Sequence, residues 1–372
     1  VWSTPERRIA RATWGRCAAR LSKPYELSFA SLRHFDAVWV RIEDERGAVG
    51  LGESVALPGY AWETADGVAD TVAALLDGAD RSTAGALEQR CRELSAKHPF
   101  AASAVMTALE LPALLGAHRP GFGFPINVPV SGETPPETLR AQVEKHLRDG
   151  YAYIKVKVGR NLEAECAAAR ALLAGEFAQR FAVVFDANQA YSLDQARRFA
   201  DALAALPRER LLWLEQPVDR DDWQAMGEIC RHAEVPVVLD EAIYSAEQIE
   251  RAAAIGAHGV KLKGCKQLGA RDALTLARRA RALGLDVVFG NGVATDVGNL
   301  AEILVLEAGG ALFSPPAECS GFAKLIEPLL PGALEIVPGG KVAAPLPAHA
   351  LAQLIGRYRD AAAADNTLNV RR

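Results

Sequence analysis

No two cysteines in this chain are spaced as C-x-x-C; the six present, Cys17, Cys91, Cys166, Cys230, Cys265 and Cys319, are scattered along it. That pattern argues against a zinc ribbon or a disulfide framework and predicts free, buried thiols in a reducing, cytoplasmic setting. The seven histidines do not cluster either. No strand-like run leads into G-x-G-x-x-G or a Walker loop, so the dinucleotide and nucleoside-triphosphate readings lose their main support. Neither sign of charge dominates: 42 basic against 46 acidic residues give a net charge of -4, no footprint for nucleic acid or an acidic membrane surface. Long apolar runs are missing too. The most apolar segment, 101–115, is expected to be too short to span a bilayer and carries Glu110. Arg7, Arg8 and Arg11 precede no apolar segment of the kind a signal peptide needs.

What is present is an ordinary globular composition, 50% hydrophobic and 24% charged, over 372 residues. That length favours a large domain with a smaller one. Residues 1–120 read as a short antiparallel meander with a turn at Glu45-Arg46-Gly47, followed by helical patterns near 63–76, 84–96 and 101–116. From the Pro120–Pro125 link the rhythm changes. Apolar runs near 126–132, 153–158, 182–188, 211–216, 236–242, 259–264, 286–291 and 311–314 alternate with amphipathic helices. This predicts a (β/α)8-type TIM barrel over 121–328, an open doubly wound sheet being the alternative. The tail, 329–372, with proline and glycine breaks before a helix near 351–362, is expected to return to the N-terminal region and complete an α+β capping domain.

The run 153–159 carries Lys155 and Lys157 two residues apart on an apolar strand, so both amines share one face. The next three strand-like runs end in Asp186, Glu215 and Asp240, and a fourth carries Lys261 and Lys263. The interval is about that of one strand plus its crossover helix, roughly 30 residues. Each charge therefore falls at the C-terminal end of a strand, where barrels of this kind place their chemistry. A single carboxylate there is usually a helix cap. Three from neighbouring strands repel by several kcal/mol, at order of magnitude, unless a cation sits between them, and the hard oxygen set suits Mg²⁺ or Mn²⁺. Lys157 and Lys263, on opposite sides of the carboxylate strands, can address two faces of one small-molecule carboxylate. A divalent ion nearby would lower an amine's pKa toward neutrality. A solvent-facing edge is the plainer reading of Lys261 and Lys263, and it stays open for Lys261.

These residues resemble the enolase superfamily and, within it, the muconate lactonizing enzyme subgroup of the mandelate racemase/muconate lactonizing enzyme family. The resemblance covers nearly the whole chain and implies a capping domain on a barrel, Mg²⁺, and abstraction of an α-proton to give an enediolate. Its K-x-K motif matches Lys155-Val156-Lys157, with Lys157 as one acid/base and Lys155 contacting the substrate carboxylate. Its metal ligands match Asp186, Glu215 and Asp240, with Asn188 and Glu241 in supporting places. Its opposite-face lysine matches Lys263, which strand alternation favours over Lys266. Residues 286–300 contain no histidine, so the mandelate racemase His-Asp dyad does not fit. The D-x-D of dipeptide epimerases is absent from the loop Ser314–Gly321, where Glu318 either bonds the substrate or is an ordinary loop carboxylate.

Tyr25, Phe29, Tyr60 and Trp62 are candidates for an aromatic lid, with Tyr60 and Trp62 placed at the substrate, and core packing is the alternative role, favoured for at least two of the four. The expected activity is racemisation or epimerisation of an amino-acid derivative, with cycloisomerisation or β-elimination on the same machinery as the alternative. A non-catalytic carboxylate-binding barrel and a Schiff-base lyase are the rivals from other classes. Neither nucleic acid nor membrane is an expected partner, and the resemblance implies a homo-oligomer.

Overall fold

The computed structural model describes residues 5–26, 31–57, 59–364 and 369–371, excepting the side chains of residue 26 and of residues beyond 358. Phe29 lies outside them. The meander forms as β1 (Ile9–Glu26), β2 (Ser31–Asp44) and β3 (Val49–Val55), paired antiparallel. Both faces of β2 are covered from Ala37 to Ile42, Trp39 among them. Three helices follow: α1 (Ala65–Leu76) and α2 (Ala84–Leu94), started by the hydroxyls of Thr64 and Thr83, and α3 (Pro99–Ala117). Pro99 in the first turn and Glu63, which accepts from the amides of Phe100 (2.7 Å) and Ala101 (3.3 Å), start α3 earlier than expected. At 19 residues α3 is therefore long enough to cross a membrane by length and composition, contrary to expectation. Its buried surface identifies it as a core helix, packed on β3, α1, α2 and the barrel.

That packing is close because β3 turns glycines toward α3. A Cβ at Gly52 would lie 2.0 Å from the carbonyl oxygen of Ala104, and one at Gly50 would lie 1.8 Å from that of Ala108. Both obstacles are backbone and cannot rotate away. Gly52→Ala is expected to cost about 3 kcal/mol or more of stability by forcing strand and helix apart. Chemical denaturation checks this, and an unchanged midpoint would contradict the packing.

After β4 (Gly123–Pro125) come seven parallel staves: β5 (Val128–Ser131), β6 (Tyr153–Lys157), β7 (Ala182–Asp186), β8 (Leu211–Glu215), β9 (Val237–Leu239), β10 (Gly259–Leu262) and β11 (Asp286–Phe289), adjacent in chain order. They alternate with α4 (Pro136–Arg148), α5 (Leu162–Leu173), α6 (Leu193–Ala204), α7 (Trp223–His232), α8 (Ala246–Ala254), α9 (Gly269–Ala282) and α10 (Asp296–Gly309). The expected eighth stave at 311–314 is not a ladder strand. Residues Gly310–Leu312 form a 3₁₀ turn, and Pro315 and Pro316 have no N–H to donate. The extended chain just beyond closes the barrel instead. Ser314 and Glu318 donate to Val287 and Phe289 on one side, while Ala317 exchanges bonds with Pro125 and Asn127 on the other.

Strand alternation divides the barrel. Outward residues such as Val183, Phe185, Leu214 and Val260 join the main core under the helices. Inward residues Val184, Trp213, Val238 and Val288 form a separate apolar plug. One step further along the same inward faces stand Asp186, Glu215 and Asp240.

The tail contributes β12 (Glu335–Val337) and β13 (Lys341–Ala343), paired with β4, then α11 (Ala348–Ala364) and β14 (Asn369–Arg371). The last strand pairs with β1, and Tyr358 packs edge-on against Trp39 at 5.4 Å.

Carboxylates lock the N-terminal region to the barrel. Glu53 on β3 accepts from the amide of Thr295 (2.6 Å) at the start of α10, and Glu110 on α3 accepts from Ala270 (2.5 Å) and Arg271 (3.2 Å) at the start of α9. Glu302 on α10 accepts from the Asn299 side chain (2.9 Å) and the Asn291 amide (3.1 Å). Burial, outweighing these bonds, pushes all three up to about 7. Between pH ~4.5 and ~7 the folded protein therefore keeps protons that the unfolded chain has released, so stability falls as pH rises through that window. Each group contributes on the order of 3 kcal/mol at most. Glu53→Gln should flatten the decline in a pH series of urea melts, and an unaltered slope would refute the assignment.

Candidate active site

The charged residues expected at the strand ends meet inside the barrel mouth. Asp186 closes β7, Glu215 closes β8, and Asp240 follows β9; all are buried. Lys157 lies 2.6 Å from Asp186 Oδ2 and donates to Asn188 Oδ1 at 3.0 Å. Lys155 Nζ lies 2.8 Å from both Asp186 Oδ2 and Glu215 Oε1, and 2.9 Å from Glu318 Oε2. Across the barrel, Lys263 Nζ is 2.7 Å from Asp240 Oδ2 and sits over the Tyr60 ring, 4.1 Å from its centroid. The Tyr60 hydroxyl donates to Asp240 Oδ1 at 3.0 Å.

The solvent-facing edge left open for Lys261 is not what the structure shows. Lys261 is 1% exposed, and its amine lies 2.9 Å from Glu215 Oε1, against Glu318 Oε2, and 3.9 Å from Asp240 Oδ2. Lys266 is buried too, donating to Asp240 Oδ1 (2.8 Å) and to the Asp240 carbonyl (2.5 Å). Lys263 lines the cavity described below, and Lys266 does not. Glu318 reaches the two barrel lysines from the closing segment.

Burial works against the charged form of every group here, yet opposite charges decide the direction for most. For Lys157 burial alone lowers the amine, but Asp186 outweighs it and the net shift is upward; Lys263 is raised likewise by Asp240. Asp186, Asp240 and Glu318 are held below the usual carboxylate range, the lysines overcoming burial. Glu241 goes the other way, up to about 7, through burial and repulsion from Asp240 and Asp186. It accepts from Asn188 Nδ2 at 3.0 Å, while its Oε2 has no hydrogen-bond partner among the described residues.

Two positioning features carry no charge and were not foreseen. Gln216, at φ 34°, accepts on its side-chain oxygen from the amides of Asp240 (2.9 Å) and Ala242 (3.3 Å), tying the end of β8 to the end of β9. Trp213 donates to Glu215 Oε2 at 3.2 Å. Asn188 and Gln189 also have positive φ, 42° and 70°, so the backbone turns left-handed just after two of the three carboxylate strands, a strained arrangement typical of functional sites.

A cavity of about 30 Å³ opens onto this cluster, lined by Lys155, Lys157, Asp186, Asn188, Lys263 and Glu318, with Tyr25, Tyr60, Val55, Leu57, Phe100, Asn291 and Val293 over it. Tyr25 and Lys157 also border an outer pocket of about 540 Å³. Trp62, expected in the lid, lies outside the cavity lining. It is half exposed, tilted 40° against the Tyr244 ring at 4.9 Å, with its indole N–H on the Lys97 carbonyl.

The donor chemistry suits a divalent ion: three buried carboxylates on adjacent staves and the unpaired Glu241 oxygen beside them. Among the described residues no three such side chains already close on one point, because the amines of Lys155 and Lys261 stand between them. The residues fit a cation once those amines give way.

The family model "Enolase C-terminal domain-like" matches residues 138–345, and "Mandelate racemase / muconate lactonizing enzyme, N-terminal domain" matches residues 11–111. The chain is 26% identical over 296 residues to N-succinyl-L-Arg/Lys racemase of Bacillus cereus, covering 76% of this chain and 79% of that one. It is 27% identical over 334 residues to muconate cycloisomerase 1-2 of Acinetobacter lwoffii, covering 83% and 82%. The fold is similar to the substrate-liganded L-Ala-D/L-Glu epimerase of Bacillus subtilis, with TM-score 0.79 at 22% identity over 91% of this chain and 96% of that one.

Proposed function

The chain belongs to the mandelate racemase/muconate lactonizing enzyme family of the enolase superfamily, as an isomerase, and from that premise we propose that it racemises or epimerises an N-acylated amino acid by α-proton transfer between Lys157 and Lys263. The observation that carries the proposal is that these two amines line one cavity from β6 and from the end of β10, with three staves between them. A substrate α-carbon held there faces one amine on each side. One lysine, entering as the free amine, takes the α-proton; the other, as ammonium, returns a proton to the opposite face and inverts the centre.

Asp186, Glu215 and Asp240 would hold Mg²⁺, a general requirement of this family. Held there, the ion would supply positive charge against that building on the substrate carboxylate as the proton leaves, and its ligands would be drawn from the carboxylates that keep Lys157 and Lys263 protonated. Lys155 lines the cavity and would orient the substrate carboxylate. Tyr25 and Tyr60 cover the reacting carbon and exclude water. The cavity-lining carboxylates, Asp186 and Glu318, are already engaged by lysines. A dipeptide's free ammonium would find no unpaired carboxylate there, whereas a neutral acyl amide needs none, and this favours N-acyl substrates.

The test is incubation in D₂O with Mg²⁺ and a panel of N-acyl amino acids, dipeptides and muconates, following mass and optical rotation. Deuterium at the α-carbon with loss of optical purity, for N-acyl amino acids above dipeptides, is the expected result. Mass loss or ring closure without racemisation would move the activity to elimination or cycloisomerisation. No turnover of any panel member would reject the proposal.

A further inference from the structure

Lys155 and Lys261 grip the same two oxygens. Each amine lies against Glu215 Oε1, at 2.8 and 2.9 Å, and each lies against Glu318 Oε2. Lys155 also reaches Asp186 at 2.8 Å, and Lys261 faces Asp240 at 3.9 Å. The two ammonium groups together span all three carboxylates assigned to the metal. They differ in what they can do next. Lys155 lines the substrate cavity and can turn toward a bound carboxylate, but Lys261 does not line it. Lys261 rises from the middle of β10, beside Val288 of β11 in the apolar plug, and its amine is enclosed by Glu215, Glu318 and Asp240. Its amine stands beneath the cavity, against the carboxylates rather than toward a bound substrate.

We propose that Lys261 is a resident cation that sets the divalent-ion affinity of this barrel. By occupying Glu215 Oε1 and facing Asp240, it offsets part of the negative charge that would otherwise attract Mg²⁺. Two positive charges a few ångströms apart in a partly dry site repel strongly, even at an effective dielectric of about 20. The protein therefore takes up Mg²⁺ more weakly than three carboxylates alone would. Glu318 is the counterpart of this device, an acceptor that keeps the Lys261 ammonium satisfied when Glu215 turns to the ion. Lys261 is thus a positioning residue, acting on the ion through shared carboxylates. The inference rests on Asp186, Glu215 and Asp240 being the ligand set.

The test is calorimetric titration of Mg²⁺ into the full-length protein without substrate, comparing wild type with Lys261→Met, which keeps the length of the side chain and removes its charge. Asp186→Asn, which should abolish uptake, locates the heat at this site. Lys261→Met is expected to bind Mg²⁺ at least tenfold more tightly, at roughly the scale set by removing one nearby charge. Should that variant not fold, Lys261→Gln, which can still donate to Glu215 or Glu318, carries the same expectation. Equal affinity in wild type and a folded neutral variant would overturn the inference and leave the ligand set standing. Weaker binding would also overturn it, making Lys261 a scaffold that holds the carboxylates in place. No uptake by any of the proteins would reject the ligand set and the inference together.

Discussion

Lys263→Ala should reduce turnover by roughly 10²–10⁴-fold or more, the range for removing a general acid–base group, while the protein still exchanges the α-proton of one enantiomer with solvent. The surviving exchange belongs to Lys157, which lies 2.6 Å from Asp186 on the far side of the cavity and needs no help from Lys263 to take a proton from its own face. Lys157→Ala should show the mirror pattern, with exchange confined to the other enantiomer. Proton NMR in D₂O with each pure enantiomer reads both rates. Identical selectivity in the two variants, or full turnover in both, would reject the two-base scheme. Lys266→Met serves as the comparison, since its amine also meets Asp240 but does not line the cavity. Its effect should fall on stability rather than on the choice of enantiomer.

The second large effect is expected at Asp240, where loss of one charge removes two things at once. Its carboxylate meets the amines of Lys263 (2.7 Å) and Lys266 (2.8 Å) and the Tyr60 hydroxyl (3.0 Å). Asp240→Asn leaves those buried ammonium groups facing a neutral amide, and breaking a buried pair from one side costs about 3–5 kcal/mol. The metal-free protein should melt markedly lower, and Mg²⁺ should no longer raise the melting temperature. Calorimetry with and without the ion checks both, and a variant as stable as wild type would show that the lysines are not held by Asp240. The neighbouring Glu241→Gln should act in the opposite sense. Burial and the charges of Asp240 and Asp186 push Glu241 up to about 7, so neutralising it relieves repulsion above that pH. Its variant should gain stability at pH 8 and change little at pH 5.

Much of the barrel was legible because two periodicities coincide in it. Alternation placed Lys155 and Lys157 on one face, and the recurrence of strand plus helix put Asp186, Glu215 and Asp240 at equivalent ends. The same alternation also pairs Lys261 with Lys263, a signal that was available but outweighed by the habit of lysines at strand margins. Only the closed interior, with Glu215 and Glu318 on either side, explains why Lys261 is buried. Gln216 and Lys266 were harder to see, since each acts through backbone groups of Asp240 from a loop whose path has no periodicity. The eighth stave was misplaced because 311–314 looks apolar, while the ladder is decided by donors, which Pro315 and Pro316 lack. Trp62 shows the limit of reading aromatics near a loop. Its neighbour Tyr60 turns inward to Asp240, whereas the Trp62 ring finds Tyr244 and Arg220 at the surface.

The carboxylates that cross from β3 and α3 to the barrel bear on how such proteins exchange parts. Glu53 adds an acceptor beside the Thr295 cap at the start of α10, and Glu110 supplies the acceptor that α9 lacks, so both helix starts draw on another region of the chain. A chimera joining this barrel to an N-terminal region from a relative inherits that debt. It should assemble only if the donor sequence brings acceptors to the same two places. Point changes at Tyr25, Val55 and Leu57, which line the cavity from that same region, leave both acceptors in place.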